Sequence, residues 1–412
     1  MTKISYLRKL AAEKYSAGRF AEAAKIGEIL LAEHWHNKNF QTDGYSADLF
    51  NLACYHDELG NLERAATLYS DSAAQISFAQ GESLPLAERL NNLATVLIRI
   101  GIPEPAFFML GNAADIRRRL LGTSHPLYAD SLYNLGNAAA EIGRKEDSLR
   151  YHREALEIRE NEGHTEDIVH SLVSISFLHK ANAEYDEAIQ FADSAIRFAV
   201  TCDESYAGIN SYLAELFVAC KKYEDALPVY DRALETIASA VGRNHSAYMN
   251  VALRRASALS RLNRHREALV AHEEVLEIFD RVSSTKHAFY ANCLREISML
   301  HHRLGEPSLA VDTLLEATKI RRRLMEDITQ DMAFLIRLHL GENQPEKALE
   351  ALVYALMCAP GEKELPALIG SIAATFNDNS EIREEFMDTI VRLNNRELLR
   401  PILQKWEEWE KS

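Results

Sequence analysis

The sequence predicts an all-α solenoid of about nine helix pairs, closed by further helices at its C-terminal end. Two observations support this prediction: a pattern of two amphipathic helices recurs along the chain, and its period is nearly constant. The pattern is clearest in residues 129–159, ADSLYNLGNAAAEIGRKEDSLRYHREALEIR. Leu132, Leu135 and Ala139 follow the spacing of an apolar helical stripe, and a second such run follows a break at Gly143.

A small residue marks the start of the second helix in every repeat, at intervals of 38 to 42 residues. Small side chains let two helix backbones approach closely, so we expect Gly136 and Ala155 to lie where the helices of their pair cross. Pro103, Pro307 and Pro345 fall in first turns, where proline interrupts no hydrogen bond. The marker residues are Ala23, Ala65, Ala106, Ser148, Ala188, Ala226, Ala268, Ala310 and Ala348.

Three segments are predicted from this register. Residues 1–46 hold the first repeat and a polar connector, residues 47–360 hold the array of long repeats, and residues 361–412 hold capping helices. A cap is expected because a terminal repeat must cover its apolar face. Trp406 and Trp409 would pack on the last repeat or form a contact surface.

The connectors between repeats contain turn and capping signals. Gly122 can end one helix in the left-handed conformation, and Thr123 or Ser124 can cap the next. We expect His125 and His245, in the LGTSHP and VGRNHS connectors, to shape turns.

Composition limits the classes of function. Acidic residues outnumber basic ones by 61 to 46, giving a formal net charge of −15, which disfavours nucleic acid as a partner. The five cysteines are odd in number and form no CxxC pair, so we predict a reducing, cytoplasmic location and no zinc site. The sequence contains neither a long apolar run nor the apolar core of a signal peptide, so no membrane association is expected.

Motifs for catalysis and for cofactor or metal binding are absent from the sequence. GxxxxGK[ST], GxGxxG, GxSxG and HExxH do not occur. We therefore predict no catalytic residue, no cofactor and no metal site.

The connectors of the form Leu/Val-Gly-x-x-His, the phrases REALEIR and NNLA and the period near 42 residues are similar to the long tetratricopeptide repeats (TPRs) of kinesin light chains and their bacterial relatives. The resemblance covers roughly residues 47–320. It implies a right-handed superhelical solenoid of TPR helix pairs, whose first helices line a concave groove. It also implies a groove that holds peptides.

The positions that face the groove in such repeats select a set of candidate binding residues. Asn51, Asn92 and Asn134 occupy one position in three successive repeats, and an amide can both donate to and accept from a peptide backbone. Alternatively, these asparagines bond to neighbouring helices and specify their stacking. The full set of candidates is Asn51, Asn91, Asn92, Tyr133, Asn134, Asn137, Tyr212, Arg254, Arg295 and Arg303.

Charge along the predicted groove suggests a polarity. Arg254, Arg295 and Arg303 would make its later part basic, while Asp57 and Glu141 would make its earlier part acidic. A bound segment could then place a carboxylate toward the arginines. The alternative is that each charge is solvated and pairs with a local acid or base.

These features predict a non-enzymatic scaffold or adaptor that binds a segment of a partner protein or peptide in its concave groove. Three alternatives stay open: a bacterial regulator that senses a short peptide, an accessory subunit of a larger enzyme, and an enzyme with an unfamiliar site. The identity of the partner and the oligomeric state are not encoded in any recognisable motif.

Overall fold

A computed structural model of the chain describes residues 2–37, 43–199, 204–282 and 288–342, together with seven single positions from 344 to 355. All regular secondary structure in this described part is helical, as the all-α prediction requires. The predicted cap, residues 361–412 with Trp406 and Trp409, lies outside the described residues, as do Pro345 and part of the first connector. The chain divides into two compact units, residues 1–200 and 201–412.

The first unit contains five helix pairs in its described part. In each pair a first helix and a second helix are joined by a short turn, and helices that are consecutive in the chain pack against each other. The helices are α1 (Lys3–Ser16), α2 (Phe20–His36), α3 (Asp43–Glu58), α4 (Leu62–Gln80), α5 (Leu84–Ile100), α6 (Pro103–Leu121), α7 (Pro126–Glu141), α8 (Lys145–Glu162), α9 (Thr165–Ala181) and α10 (Tyr185–Phe198).

The second unit contains three complete pairs and the start of a fourth in its described part. Residues 347, 348, 350, 351, 354 and 355 are also helical and follow the last of the helices named below. Those helices are α11 (Glu204–Ala219), α12 (Tyr223–Ala240), α13 (Ser246–Arg261), α14 (His265–Arg281), α15 (Ala288–Arg303), α16 (Pro307–Arg323) and α17 (Thr329–Gly341).

The marker residues lie where the two helices of each pair meet. All nine are buried, with exposed fractions from 0% to 4%, so the predicted register is confirmed. Ser148 also forms a hydrogen bond between the two helices: its hydroxyl donates to the carbonyl of Gly136 on the facing helix at 2.8 Å. Ser176 and Ser298 donate in the same way to the carbonyls of Ala188 and Ala310, both at 2.6 Å.

The turn inside each pair needs one residue with positive φ. Gly60, Gly101 and Gly143 supply it with φ of 74°, 87° and 76°, and glycine adopts this conformation without steric cost. Ala183 and Lys221 occupy the equivalent turns with φ of 61° and 59°. These two turns therefore carry a side chain in a region that L residues disfavour.

Successive pairs within a unit are joined by buried polar contacts as well as by apolar packing. The donor lies eleven residues after the marker, and its partner is on the first helix of the next pair. A buried polar or charged group needs such a partner, because leaving it unpaired would cost several kcal/mol. Three are hydrogen bonds: His34 Nε2 to Asp48 Oδ2, Arg117 Nη1 to Ser131 Oγ, and Arg159 Nη1 to Ser171 Oγ, each at 2.8 Å. The fourth is an ion pair, in which Arg321 Nε lies 2.9 Å from Asp331 Oδ2.

The connectors confirm one prediction and correct another. His125 and His245 shape the turns before α7 and α13, where each Nδ1 accepts from a backbone N–H two residues later, at 3.1 and 3.3 Å. The residue that caps α7 is thus His125, and the prediction of Thr123 or Ser124 is wrong. An imidazole nitrogen at this position reaches the free N–H groups of the first turn as a serine hydroxyl would.

Candidate partner-binding face

All ten candidate residues lie on the first helices, seven of them at partly exposed positions, with Arg254 and Arg303 exposed and Tyr212 buried. We call the surface that they form in each unit its first-helix face. In the first unit it is formed by α3, α5, α7 and α9, and in the second by α11, α13, α15 and α17. Asn51 lies on α3; Asn91 and Asn92 on α5; Tyr133, Asn134 and Asn137 on α7; Tyr212 on α11; Arg254 on α13; and Arg295 and Arg303 on α15.

Three of the asparagines bond to one another across two repeats. Asn134 Nδ2 donates to Asn91 Oδ1 at 2.9 Å, which links α7 to α5. Asn91 Nδ2 lies 3.4 Å from Asn92 Oδ1 on the same helix. The bond between Asn134 and Asn91 is of the kind that the stacking alternative describes, because it joins neighbouring first helices.

The other two asparagines differ from this group. Asn51 and Asn137 are partly exposed, and in the part of the chain that the structure describes neither side chain makes a hydrogen bond to protein. Each amide therefore keeps its donors and its acceptor for water or for a ligand.

Tyr133 is held in place from three sides. Its hydroxyl accepts from Ser174 Oγ on α9 at 3.1 Å. The guanidinium carbon of Arg159 lies 4.7 Å from the ring centroid, and the ring of His152 meets it edge-on at 5.1 Å. Tyr133 remains partly exposed, whereas Tyr212 is buried, with 8% of its surface exposed. The prediction that Tyr212 presents a surface in the groove is therefore corrected: its side chain packs inside the second unit.

Charged residues of the first-helix face pair with the neighbouring repeat. Asp57 pairs with Arg99 in the first unit, and Glu215 pairs with Arg254 in the second. Arg295 Nη1 lies 3.0 Å from Gln330 Oε1 and 3.5 Å from Asp331 Oδ1, both on α17. Arg254 and Arg295, two of the three arginines predicted to line the groove, thus have local partners. This agrees with the alternative interpretation, in which each charge pairs with a local acid or base.

Arg303 has a different setting. It lines a pocket of about 210 Å³ between α13 and α15, together with Arg261, Glu296 and Met299. The side chains of Arg261 and Arg303 are exposed, and within the described residues neither lies within 4.0 Å of an acidic oxygen. The sequence prediction missed Arg261, although it lies one period of 42 residues before Arg303 and ends α13 as Arg303 ends α15.

Several histidines are buried, and the side chains around them contribute to packing rather than to a reactive site. Burial lowers the pKa of His152 and His272 to about 4. Burial likewise raises the pKa of the Cys293 thiol, which lies 3.5 Å from Nδ1 of His272, to about 12. This thiol stays protonated, so the pair lacks the thiolate of a nucleophilic cysteine. Among the described residues, no three His, Cys, Asp or Glu side chains are grouped to hold a metal ion.

No helix in the described part of the chain is both long and apolar enough to span a membrane.

Comparison with known proteins agrees with this architecture. A family model of the tetratricopeptide repeat matches residues 85–161, 205–281 and 248–323. The matched residues are therefore tetratricopeptide repeats. These repeats are of the kinesin-light-chain-like type: KINESIN LIGHT CHAIN-RELATED 3 of Arabidopsis thaliana is 21% identical over 278 residues, which are 65% of this chain and 42% of that protein. The match thus spans less than half the length of this curated relative.

Two solved structures are also similar to this chain. Compared with the Arabidopsis relative, one matches a smaller share of this chain and the other has lower sequence identity. BtubC from P. vanneervenii is 23% identical over 47% of this chain and 79% of its own, with a TM-score of 0.43. The C-terminal part of a TPR repeat-containing protein from Cytophaga hutchinsonii is 14% identical over 78% of this chain and 99% of its own, with a TM-score of 0.46. Arrays of such repeats are protein–protein interaction scaffolds, and this is the class to which the chain belongs.

Proposed function

We propose that the chain is a non-enzymatic adaptor that holds an extended segment of a partner protein on the first-helix face of its first unit. The protein carries a formal net charge of −15, which favours a protein or peptide over nucleic acid as the partner. Its five cysteines without a CxxC pair are in keeping with work in a reducing cytoplasm.

One observation carries the proposal: the first-helix face presents amides that make no hydrogen bond to any residue in the described part of the chain. Asn51 and Asn137 lie on α3 and α7, on either side of α5. An extended peptide has one N–H and one C=O on nearly every residue, and an amide side chain can serve both at once. Asn51 and Asn137 can therefore bind a backbone without selecting its side chains.

The bonded residues around these amides contribute rigidity. The contacts from Asn134 to Asn91 and from Ser174 to Tyr133 fix α5, α7 and α9 relative to one another. A surface that is ordered before binding loses less conformational entropy when the partner arrives. Tyr133 then supplies an aromatic anchor of the type that dominates binding energy at interfaces.

The test is affinity capture from the lysate of the cells that make the protein, read by mass spectrometry. The test variant carries Asn51→Ala and Asn137→Ala, which removes the two unbonded amides. The matched control is Asn112→Ala, which removes an exposed amide from the second helix α6. Thermal denaturation of each variant accompanies the capture, and we expect changes within about 0.5 kcal/mol because these side chains are surface groups.

We expect the wild type and the Asn112→Ala control to recover a partner that the double variant does not recover. Recombinant partner must then bind the wild type directly, with affinity at least about tenfold above that for the double variant. A direct partner that the double variant binds as tightly as the wild type would refute binding at these amides.

A further inference from the structure

The pocket between α13 and α15 combines two cationic side chains with one acidic side chain that receives no hydrogen bond from the residues that the structure describes. Arg261 and Arg303 end their helices at the rim of this pocket. Glu296 lies half-buried in its wall, and the described arginines act on Glu296 through their charge, without a hydrogen bond. Met299 adds an apolar surface.

The charges of this pocket leave a surplus of one positive charge. Arg295 also lies near Glu296, but Asp331 and Gln330 on α17 engage its guanidinium. The remaining groups are Arg261 and Arg303 against Glu296, a net charge of +1. Such a pocket is complementary to a single anionic group.

The serine hydroxyls in the pocket cannot serve as the donors for such an anion. Ser257 Oγ donates to the carbonyl of Leu253 at 3.0 Å, and Ser260 Oγ donates to the carbonyl of Ala256 at 3.2 Å. The donors that remain are the two guanidinium groups, whose planar forks match a carboxylate.

We propose that this pocket binds the carboxylate of an aspartate or glutamate side chain on a partner segment, and that Glu296 takes up a proton from solvent on binding. The proposal rests on the proposed function in that it takes the partner to be a protein or peptide segment, and it places an acidic residue of that partner on the first-helix face of the second unit. It adds the chemical class of the residue that is recognised and the two arginines that recognise it.

Proton uptake follows from the position of Glu296. Burial raises the pKa of its carboxyl group, against the opposing influence of Arg295, Arg303 and Arg261. A second carboxylate in the pocket is a like charge, so it raises the pKa of Glu296 further. The protonated carboxyl group can then donate a hydrogen bond to the bound carboxylate.

The experiment titrates the full chain with acetyl-aspartate N-methylamide, a single aspartate residue blocked at both ends, by ligand-observed NMR. Acetyl-asparagine N-methylamide has nearly the same shape without the charge and is the matched probe. The variants are Arg261→Gln and Arg303→Gln, with Arg281→Gln as control because Arg281 is an exposed arginine on the second helix α14. We expect each pocket variant to weaken binding about tenfold and the control to bind as the wild type does.

The role of Glu296 has its own measurements. Affinity should rise as the pH falls from about 7 to about 5, since the acetyl-aspartate probe stays ionised there while Glu296 is neutralised. Glu296→Gln should bind at least as tightly at neutral pH and lose this dependence on pH. Calorimetry of the wild type in two buffers of different ionisation enthalpy should show proton uptake, which provides a test without any variant.

Three results would overturn the proposal: equal binding of the asparagine probe, wild-type affinity in both pocket variants, or weaker binding with unchanged pH dependence in Glu296→Gln. Failure here is separable from failure of the adaptor function. The capture test depends on amides of the first unit, whereas the probe titration requires no partner at all.

Discussion

The imidazole of His152 lies directly against Gly136, so that a Cβ on residue 136 would come within 2.8 Å of both Cδ2 and Nε2 of the ring. This contact joins α7 and α8, the pair in which the repeat pattern is clearest. His152 and Gly136 are both buried, with the histidine exposed by only 1%. A small residue on one helix thus creates the space that a ring on the other helix fills.

Gly136→Ala should lower the free energy of unfolding by about 1–3 kcal/mol, the usual cost of inserting a methyl group into a packed core. Urea denaturation measures this change. Gly111→Ala is the matched control, because Gly111 lies inside α6 and a Cβ there would meet nothing within 4 Å. The control should be neutral or stabilising by up to about 1 kcal/mol through helix propensity. Equal effects of the two substitutions would contradict the close contact.

Stability should fall in mild acid because of His152 and His272. Burial lowers the pKa of both to about 4, while an unfolded histidine has a pKa near 6.5. The folded state therefore binds fewer protons than the unfolded state between these values. Stability is fully present above pH of about 6.5 and is lost as the pH falls toward about 4, by up to about 3 kcal/mol per histidine.

His272→Leu tests this linkage, because leucine fills a similar space without titrating. The difference in unfolding free energy between pH of about 7 and about 4.5, from urea denaturation, should shrink in the variant. His170→Leu, on the exposed side of α9, controls for loss of an imidazole ring. If His272→Leu keeps the full acid sensitivity of the wild type, His272 does not contribute to it.

The turns at Ala183 and Lys221 should be stabilised by glycine. Both residues have positive φ, 61° and 59°, where most repeats have glycine. Because a Cβ disfavours this conformation, Ala183→Gly and Lys221→Gly should each raise the free energy of unfolding by about 1 kcal/mol. The reverse change at an equivalent turn, Gly101→Ala, should lower it by a similar amount, and thermal denaturation follows all three. A loss of stability in both glycine variants would show that their turns are not strained.

The hydrogen bond from Asn134 to Asn91 should contribute to stability. A double-mutant cycle with Asn91→Ala and Asn134→Ala should give a coupling energy of about 1 kcal/mol, the usual net value of one such bond. The same cycle with Asn91→Ala and Asn137→Ala should give coupling near zero, since the amide of Asn137 does not bond to Asn91. Coupling near zero in the first cycle would remove the stacking role of Asn134.

Much of the fold could be predicted from the sequence because the repeat makes each local signal recur. The small markers from Ala23 to Ala348 are buried as expected, and Pro103 and Pro307 begin their helices. The cap at His125 was missed because an imidazole is a less common cap than the hydroxyls of Thr123 and Ser124.

The candidate site was predictable only in part. The first-helix positions of Asn51 and Asn137 follow from the period. The direction of a long side chain does not, and Arg254 reaches Glu215 on the preceding first helix. The burial of Tyr212 likewise depends on packing around α11 that no local pattern reports. The pocket of Arg261 and Arg303 needs two helix ends to lie side by side, which only the structure shows.

Site-specific photo-crosslinking can show directly whether a partner segment lies on the first-helix face of the first unit. A benzophenone amino acid replaces Asn137 on α7 in one variant and Asn112 on α6 in another, and each is irradiated with the captured partner. We expect a covalent adduct from position 137 and none from position 112. An adduct from position 112 without one from position 137 would contradict this expectation.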